Sequence, residues 1–173
     1  TGQSNVFIGD GTGEKNTVGE RNIFIGDYAG NENTLGSNNI LMGVVAGRFN
    51  EGNFNILMGN WSGYFNTTGS ENIFIGSYSG AYNKTGSDNI YIGKLAGNKS
   101  DSASLNVFIG NESGFNNTGG WENVFVGRNS GHSNTIGYGN TMIGGVSGYN
   151  NTEGNHNTFL GIYSGNENTT GSA

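Results

Sequence analysis

A five-residue motif, Asn followed by three mostly apolar residues and a Gly, recurs ten times along the chain. It opens at Asn5, Asn22, Asn39, Asn55, Asn72, Asn89, Asn106, Asn123, Asn140 and Asn157, at intervals of 17 residues with a single interval of 16 before Asn55. A short fixed period constrains the fold more than any local propensity, because each unit must be one structural element stacked on copies of itself. The ten units fill residues 5–173, and residues 1–4 read as the tail of an eleventh. Residues 1–173 are therefore expected to form one repeat domain, a segment of a longer fibrous protein.

With the opening Asn as position 0, Gly holds positions 4 and 8 in all ten units and a small residue holds position 7. Asn holds position 11 in nine units, with Ser100 the exception, and Gly holds position 14 in nine, with Ala103 the exception. A Gly every four to six residues is hostile to helix, at ~1 kcal/mol for each Gly relative to Ala. Short strands broken by glycine corners suit the pattern. Stacked coils put like positions ~4.8 Å apart, so each column becomes a ladder of identical residues. Asn fits such a ladder because its amide both donates and accepts. Like charges at that spacing repel by ~1 kcal/mol even in water, and no column here is dominated by one sign. The expected fold is all-β: a parallel β-solenoid, or β-roll, of ten coils of about 17 residues. Positions 1–3 of each unit should be strand, and no helix should exceed one turn.

A run of three apolar residues makes both faces of a strand apolar. Positions 1 and 3, mostly Ile, Val and Met, are expected to line the coil interior beside position 7. Position 2 then points outward, as the column Phe7, Phe24, Leu41, Leu57, Phe74, Tyr91, Phe108, Phe125, Met142 and Phe159. At roughly 150–250 Å² for each aromatic, that stripe amounts to on the order of 1,500 Å², against ~300–600 Å² for the largest apolar patch of a typical monomer. Side-by-side association through this column is the expectation. The opposite facing, which would expose two aliphatic columns instead of one, is set aside.

Runs such as "NIFIGDYAGNENTLGSN" (22–38) and "NIFIGSYSGAYNKTGSDN" (72–89) resemble the tandem repeats of bacteriophage tail-fibre and bacterial surface proteins. More loosely they resemble the head repeats of trimeric autotransporter adhesins, whose shorter unit S-V-A-I-G-x-x-A-x-A-x-G forms a left-handed parallel β-roll in three side-by-side chains. The resemblance implies a left-handed coil, a homotrimer, and a fibrous role outside the cell, at a cell or virion surface. Phe stands in the present unit where those heads carry Ala.

The chain carries a net charge of −6, and its seven Lys and Arg are scattered singly, so no basic stripe suggests nucleic acid. It has no Cys for disulfides or thiolate metal sites. No window approaches ~18 consecutive apolar residues, so membrane insertion is not expected, and no signal peptide is visible. His132 and His156 occupy unrelated columns and are expected to be solvated. The stretch "GDGTGE" (9–14) resembles a calcium-binding Gly-Asp repeat, but later units do not repeat it, as such sites require. No cofactor or metal and no enzymatic activity are expected. Sequons such as Asn66-Thr67-Thr68 and Asn83-Lys84-Thr85 follow from an Asn- and Thr-rich composition.

Units three to five add Phe49, Phe54, Trp61, Tyr64, Phe65, Tyr78 and Tyr82 to the regular columns. Of these, Phe49, Trp61, Tyr64, Phe65 and Tyr82 form a candidate patch for a host-surface glycan or a protein receptor. Extra subunit contact or local packing is the other reading. The leading functional expectation is a structural or adhesive rod in an oligomeric surface fibre. A self-assembling extracellular filament or matrix protein comes second. An ice-binding solenoid comes third, from the partial Thr column at position 12, interrupted by Glu51, Lys84 and Asp101. The one-residue deletion at Glu51 and the irregular "GNKSDSASL" should alter corners within 49–53 and 98–105 while the strands stay in register. Ser100 should break the Asn ladder, and Ala103, at a corner expected to need positive φ, should adopt a different turn.

Overall fold

In the computed structural model, which describes residues 2–172, every repeat contributes one three-residue strand. They are β1 (Val6–Ile8), β2 (Ile23–Ile25), β3 (Ile40–Met42), β4 (Ile56–Met58), β5 (Ile73–Ile75), β6 (Ile90–Ile92), β7 (Val107–Ile109), β8 (Val124–Val126), β9 (Thr141–Ile143) and β10 (Thr158–Leu160). All pair in parallel, in sequence order, in one sheet. The register matches like with like, Phe24 opposite Leu41 and Phe74 opposite Tyr91. The described residues contain no helix. The chain is a parallel β-solenoid of about 17 residues per turn.

The strands face opposite to the expectation from aromatic area. Phe24, Leu41, Leu57, Phe74, Tyr91, Phe108, Phe125 and Met142 have no solvent exposure in the single chain. Phe159 is half-buried, and only Phe7, in the first coil, is exposed. This column is therefore the core, and it does not form an outer interface. Parity explains it. Positions 0 and 2 lie on one side of a strand, and the position-0 asparagines from Asn22 onward are buried, so position 2 must point inward with them. The rings stack one per coil, Phe74 on Tyr91 at 4.7 Å, Tyr91 on Phe108 at 4.9 Å and Phe108 on Phe125 at 4.8 Å between centroids. That is the inter-strand spacing.

The interior is narrow, which explains the glycines. At position 8 the backbone is left-handed, as at Gly80 (φ 55°), where a Cβ would stand 2.5 Å from the Phe74 ring. At position 14 no positive φ is involved; instead a Cβ at Gly36 would stand 2.7 Å from the Gly52 carbonyl of the next coil. Ala103 therefore does not sit at a left-handed corner, contrary to expectation. The left-handed corners include non-glycine residues at positions 6 and 16, such as Trp61 (φ 61°), Tyr78 (φ 58°) and even β-branched Val45 (φ 52°) and Val146 (φ 62°). Such a conformation costs roughly 1–2 kcal/mol per residue. Hydrogen bonds between coils offset it, for example Val45 N–H to Asp27 O at 2.8 Å.

Two asparagine ladders run beside the rings. At position 0, Asn22 Nδ2 donates to the Gly36 carbonyl across its own coil, while Asn22 Oδ1 accepts from the backbone N–H of Asn39 in the next. At position 11 the side chains bond directly, Asn83 Nδ2 to Asn66 Oδ1 at 2.6 Å and Asn134 Nδ2 to Asn117 Oδ1 at 2.6 Å. The second ladder breaks at Ser100, as expected, and also beside the deletion, where Asn33 Oδ1 receives no donor from Asn50. With Ser100 in the next coil, Asn83 Oδ1 is buried without a partner.

The deletion in unit three is absorbed in a turn. The usual pair of bends after position 11 is missing between Asn50 and Gly52, while β3 and β4 pair in register. In a regular corner the N–H groups of Thr17, Val18 and Gly19 share the Thr34 carbonyl. In coil two the Glu51 carboxylate substitutes, accepting from Thr34 N–H at 3.1 Å and Leu35 N–H at 2.9 Å. Unit six departs from expectation, because its corner at 98–105 is regular. Asp101 and Ser102 N–H donate to the Thr118 carbonyl just as Lys84 and Thr85 donate to that of Asp101.

Candidate functional site

The five aromatic residues singled out in the sequence converge on one flank. Phe49, Phe65 and Tyr82 hold position 10 of three successive coils; Phe49 stacks on Phe65 at 5.6 Å, and Tyr82 packs against Phe65 at 5.4 Å, tilted by 30°. Tyr64, at position 9, meets Phe65 edge-on at 4.5 Å and Trp61 at 4.4 Å, and Trp61 stacks on Tyr78 at 5.7 Å. Phe54 stands apart, lining a recess with Ile56, Glu71 and Ile73. Mutual packing accounts for half-buried Phe49, Tyr64 and Phe65, whereas Trp61, Tyr78 and Tyr82 stay exposed. The cleft among these rings holds only about 50 Å³. That is too little for a sugar ring, so the rings fill it themselves.

The larger opening lies at the end of the stack. Position 10 of the next coil is Lys99, whose Nζ leans over the Phe115 ring at 5.0 Å from the centroid. Phe65 packs against one side of Tyr82, and Tyr82 borders an open groove of about 490 Å³ with Lys84, Asn98, Lys99, Asp101 and Thr118. Lys84 Nζ and Asp101 Oδ1 are 3.2 Å apart and both side chains are exposed, an arrangement worth at most ~1 kcal/mol and easily opened. Asn98 forms the floor, its amide donating to the Tyr78 carbonyl at 2.9 Å. Sequence reasoning missed these polar residues. Their only signal was a position-10 aromatic run ending in Lys.

A second aromatic stack, also missed, occupies coils seven to nine at position 9. Phe115, His132 and Tyr149 lie parallel at 5.2 and 4.8 Å. His132 is therefore not a solvated surface residue. Burial pushes its pKa below the ordinary histidine value, against the opposing pull of Glu112, whose carboxylate is 3.7 Å away. His156 is exposed, edge-on to Tyr138 at 5.0 Å. No group of three or more metal-ligating side chains occurs among the described residues. The asparagines of two sequons, Asn66 and Asn83, are buried rungs of the ladder and are closed to glycosylation in the folded chain. At position 12, Thr67, Thr118, Thr135 and Thr152 donate their hydroxyls to carbonyls of the next coil. The Thr column thus serves the stacking of coils.

With position 2 inside, positions 1 and 3 form the outer face of the sheet, where Ile75 and Ile109 are each 37% exposed. Apolar Val44, Phe54, Leu105 and Ile162 on the adjoining corners are exposed as well. No family model, curated protein or solved structure matches the chain. No helix among the described residues is long and apolar enough to cross a membrane.

Proposed function

We propose that this chain is a non-enzymatic structural rod of a multi-chain fibre at an extracellular surface, cell or virion, and that copies associate side by side through the outer face of the sheet. The observation carrying this reading is the aliphatic surface at positions 1 and 3. Ten strands ~4.8 Å apart make it roughly 45 Å long, and three residues at ~3.3 Å make it roughly 10 Å wide. Its projected area is about 450 Å², and side-chain relief with the flanking apolar residues carries it toward the ~800 Å² per partner of a stable complex. A homotrimer, which the repeat resemblance implies, closes three such faces around one axis. The stripe first assigned to association is now the core, so the association face moves by one residue along each strand.

The test is molar mass in solution by light scattering. The wild type should sediment and scatter as a small multiple of 18.1 kDa. Ile75→Asp and Ile109→Asp, which place a carboxylate on the outer face, should give folded monomers with an unchanged strand signal by circular dichroism. A wild-type monomer, or variants that keep the wild-type mass, would defeat the proposal. Mass growing without limit with concentration would favour end-to-end filaments.

A further inference from the structure

We propose that the groove beside Tyr82 binds an acidic saccharide, with a pyranose ring against Tyr82 and its carboxylate on Lys99. Phe49, Phe65 and Tyr82 place one ring per coil, and Lys99 interrupts the series by leaning away to Phe115. The last ring of the series is half exposed and borders an open groove of about 490 Å³. That volume is within the range of small-molecule sites.

The lining selects the class of ligand. An apolar partner would strand the polar groups that make up the rest of the rim, Lys84, Asn98, Lys99, Asp101 and Thr118. A sugar ring has an apolar C–H face for the aromatic ring and hydroxyls around its edge for that rim. Asp101 can accept from those hydroxyls and Lys84 can donate to them once their exposed pair opens. Thr118 donates its own hydroxyl to the Thr135 carbonyl, leaving its oxygen to accept.

Charge narrows the class further. The groove holds two lysines and one aspartate in a chain of net charge −6. Asp101 is matched by Lys84, and among the described residues Lys99 has no carboxylate within ion-pair distance. Lys99 thus supplies a cation for a ligand carboxylate, the feature that separates a uronic-acid unit from a neutral hexose. All these groups belong to one chain, so the site does not depend on the proposed association and can be tested at any molar mass.

Binding of tetragalacturonate and of neutral galactotetraose to the wild type should be compared by calorimetry and by ligand-observed NMR. The acidic tetramer should bind more tightly. Tyr82→Ala should weaken it about tenfold or more, as loss of an aromatic contact and its buried area implies, while Tyr82→Phe should retain it. Lys99→Gln should reduce the acidic tetramer to the level of the neutral one, and Lys94→Gln, outside the groove, should change nothing. Circular dichroism of each variant guards against misfolding. No binding of the acidic tetramer, equal binding of the neutral one, or indifference to Tyr82→Ala would overturn the proposal.

Discussion

The three irregular residues of unit six form a compensating set, and this makes a sharp prediction. Tyr91 is the only Tyr of the position-2 column, Ser100 the only non-Asn at position 11 and Ala103 the only non-Gly at position 14. The Ser100 hydroxyl lies 3.0 Å from the Tyr91 hydroxyl. In other coils an Asn amide fills this space, and a Cβ at position 14 would meet both it and the next coil's carbonyl; at Gly86 it would stand 2.5 Å from Asn83 Oδ1 and closer still to the Ala103 carbonyl. The short Ser side chain therefore makes room for the Tyr hydroxyl and removes the side-chain obstacle to the Ala methyl. Ser100→Asn alone should crowd both and cost about 1–3 kcal/mol. Tyr91→Phe alone should cost about 1 kcal/mol by orphaning a buried hydroxyl.

The triple variant Tyr91→Phe/Ser100→Asn/Ala103→Gly rebuilds a regular unit and offers a donor to Asn83 Oδ1, now buried and unpaired. It should be at least as stable as the wild type, by up to ~1–3 kcal/mol. For a domain of this size each 1 kcal/mol moves the melting temperature by about 2–4 °C. Hydrogen exchange at the amides of coils five to seven would localise the change, which matters because repeat arrays need not unfold in two states. A Ser100→Asn variant as stable as the wild type, or effects that simply add across the three sites, would refute the compensation.

Phe108→Asp should prevent folding of the central coils, since it puts a carboxylate between stacked rings with no exposure; a soluble, folded product would mean position 2 faces out. Glu51→Ala should destabilise by about 1 kcal/mol in denaturant melts by removing the acceptor of the Thr34 and Leu35 N–H groups, and Glu51→Gln, which keeps one acceptor, should cost less. Burial lowers the His132 pKa in the folded chain, so the unfolded chain takes up the proton first. His132 stability should be complete above ~6.5 and be lost as pH falls through the folded value, and His132→Phe should flatten this part of a melting-temperature profile between pH 8 and pH 5.

The repeat period, the strand positions, the Asn ladder and its break at Ser100 were legible because stacking punishes any column that cannot tolerate its own copy 4.8 Å away. Facing was misread for an identifiable reason. Comparing exposed areas set two aliphatic columns against one aromatic column, when the decisive information was parity with position 0. A buried ladder at Asn22 through Asn157 fixes Phe24 through Phe159 on the same side of each strand. Volume agrees, since one ring, Leu or Met per coil, opposite a small residue and a Gly at position 8, fills the lumen. The left-handed corners were hidden because positions 6 and 16 carry Tyr, Val, Glu, Arg or His rather than a glycine signature. There the hydrogen bonds between coils override residue preference.

The same division explains why the candidate site was only half legible. Inward columns must repeat, so they report the fold; outward columns can vary, so a site can arise there without disturbing the coil. Phe49, Phe65 and Tyr82 could be grouped from the sequence because they share or adjoin one column. The groove could not, because it depends on a side chain leaving its column. Lys99 turns toward Phe115 of the following coil, and that displacement lets Tyr82 end the stack facing open space and leaves Lys84, Asp101 and Thr118 along its rim. A repeat of identical rungs offers a ligand nothing to distinguish one coil from the next. A site on such a rod is best built where a column stops, which is why the proposed saccharide groove is placed at coil six, where the position-10 aromatic column ends.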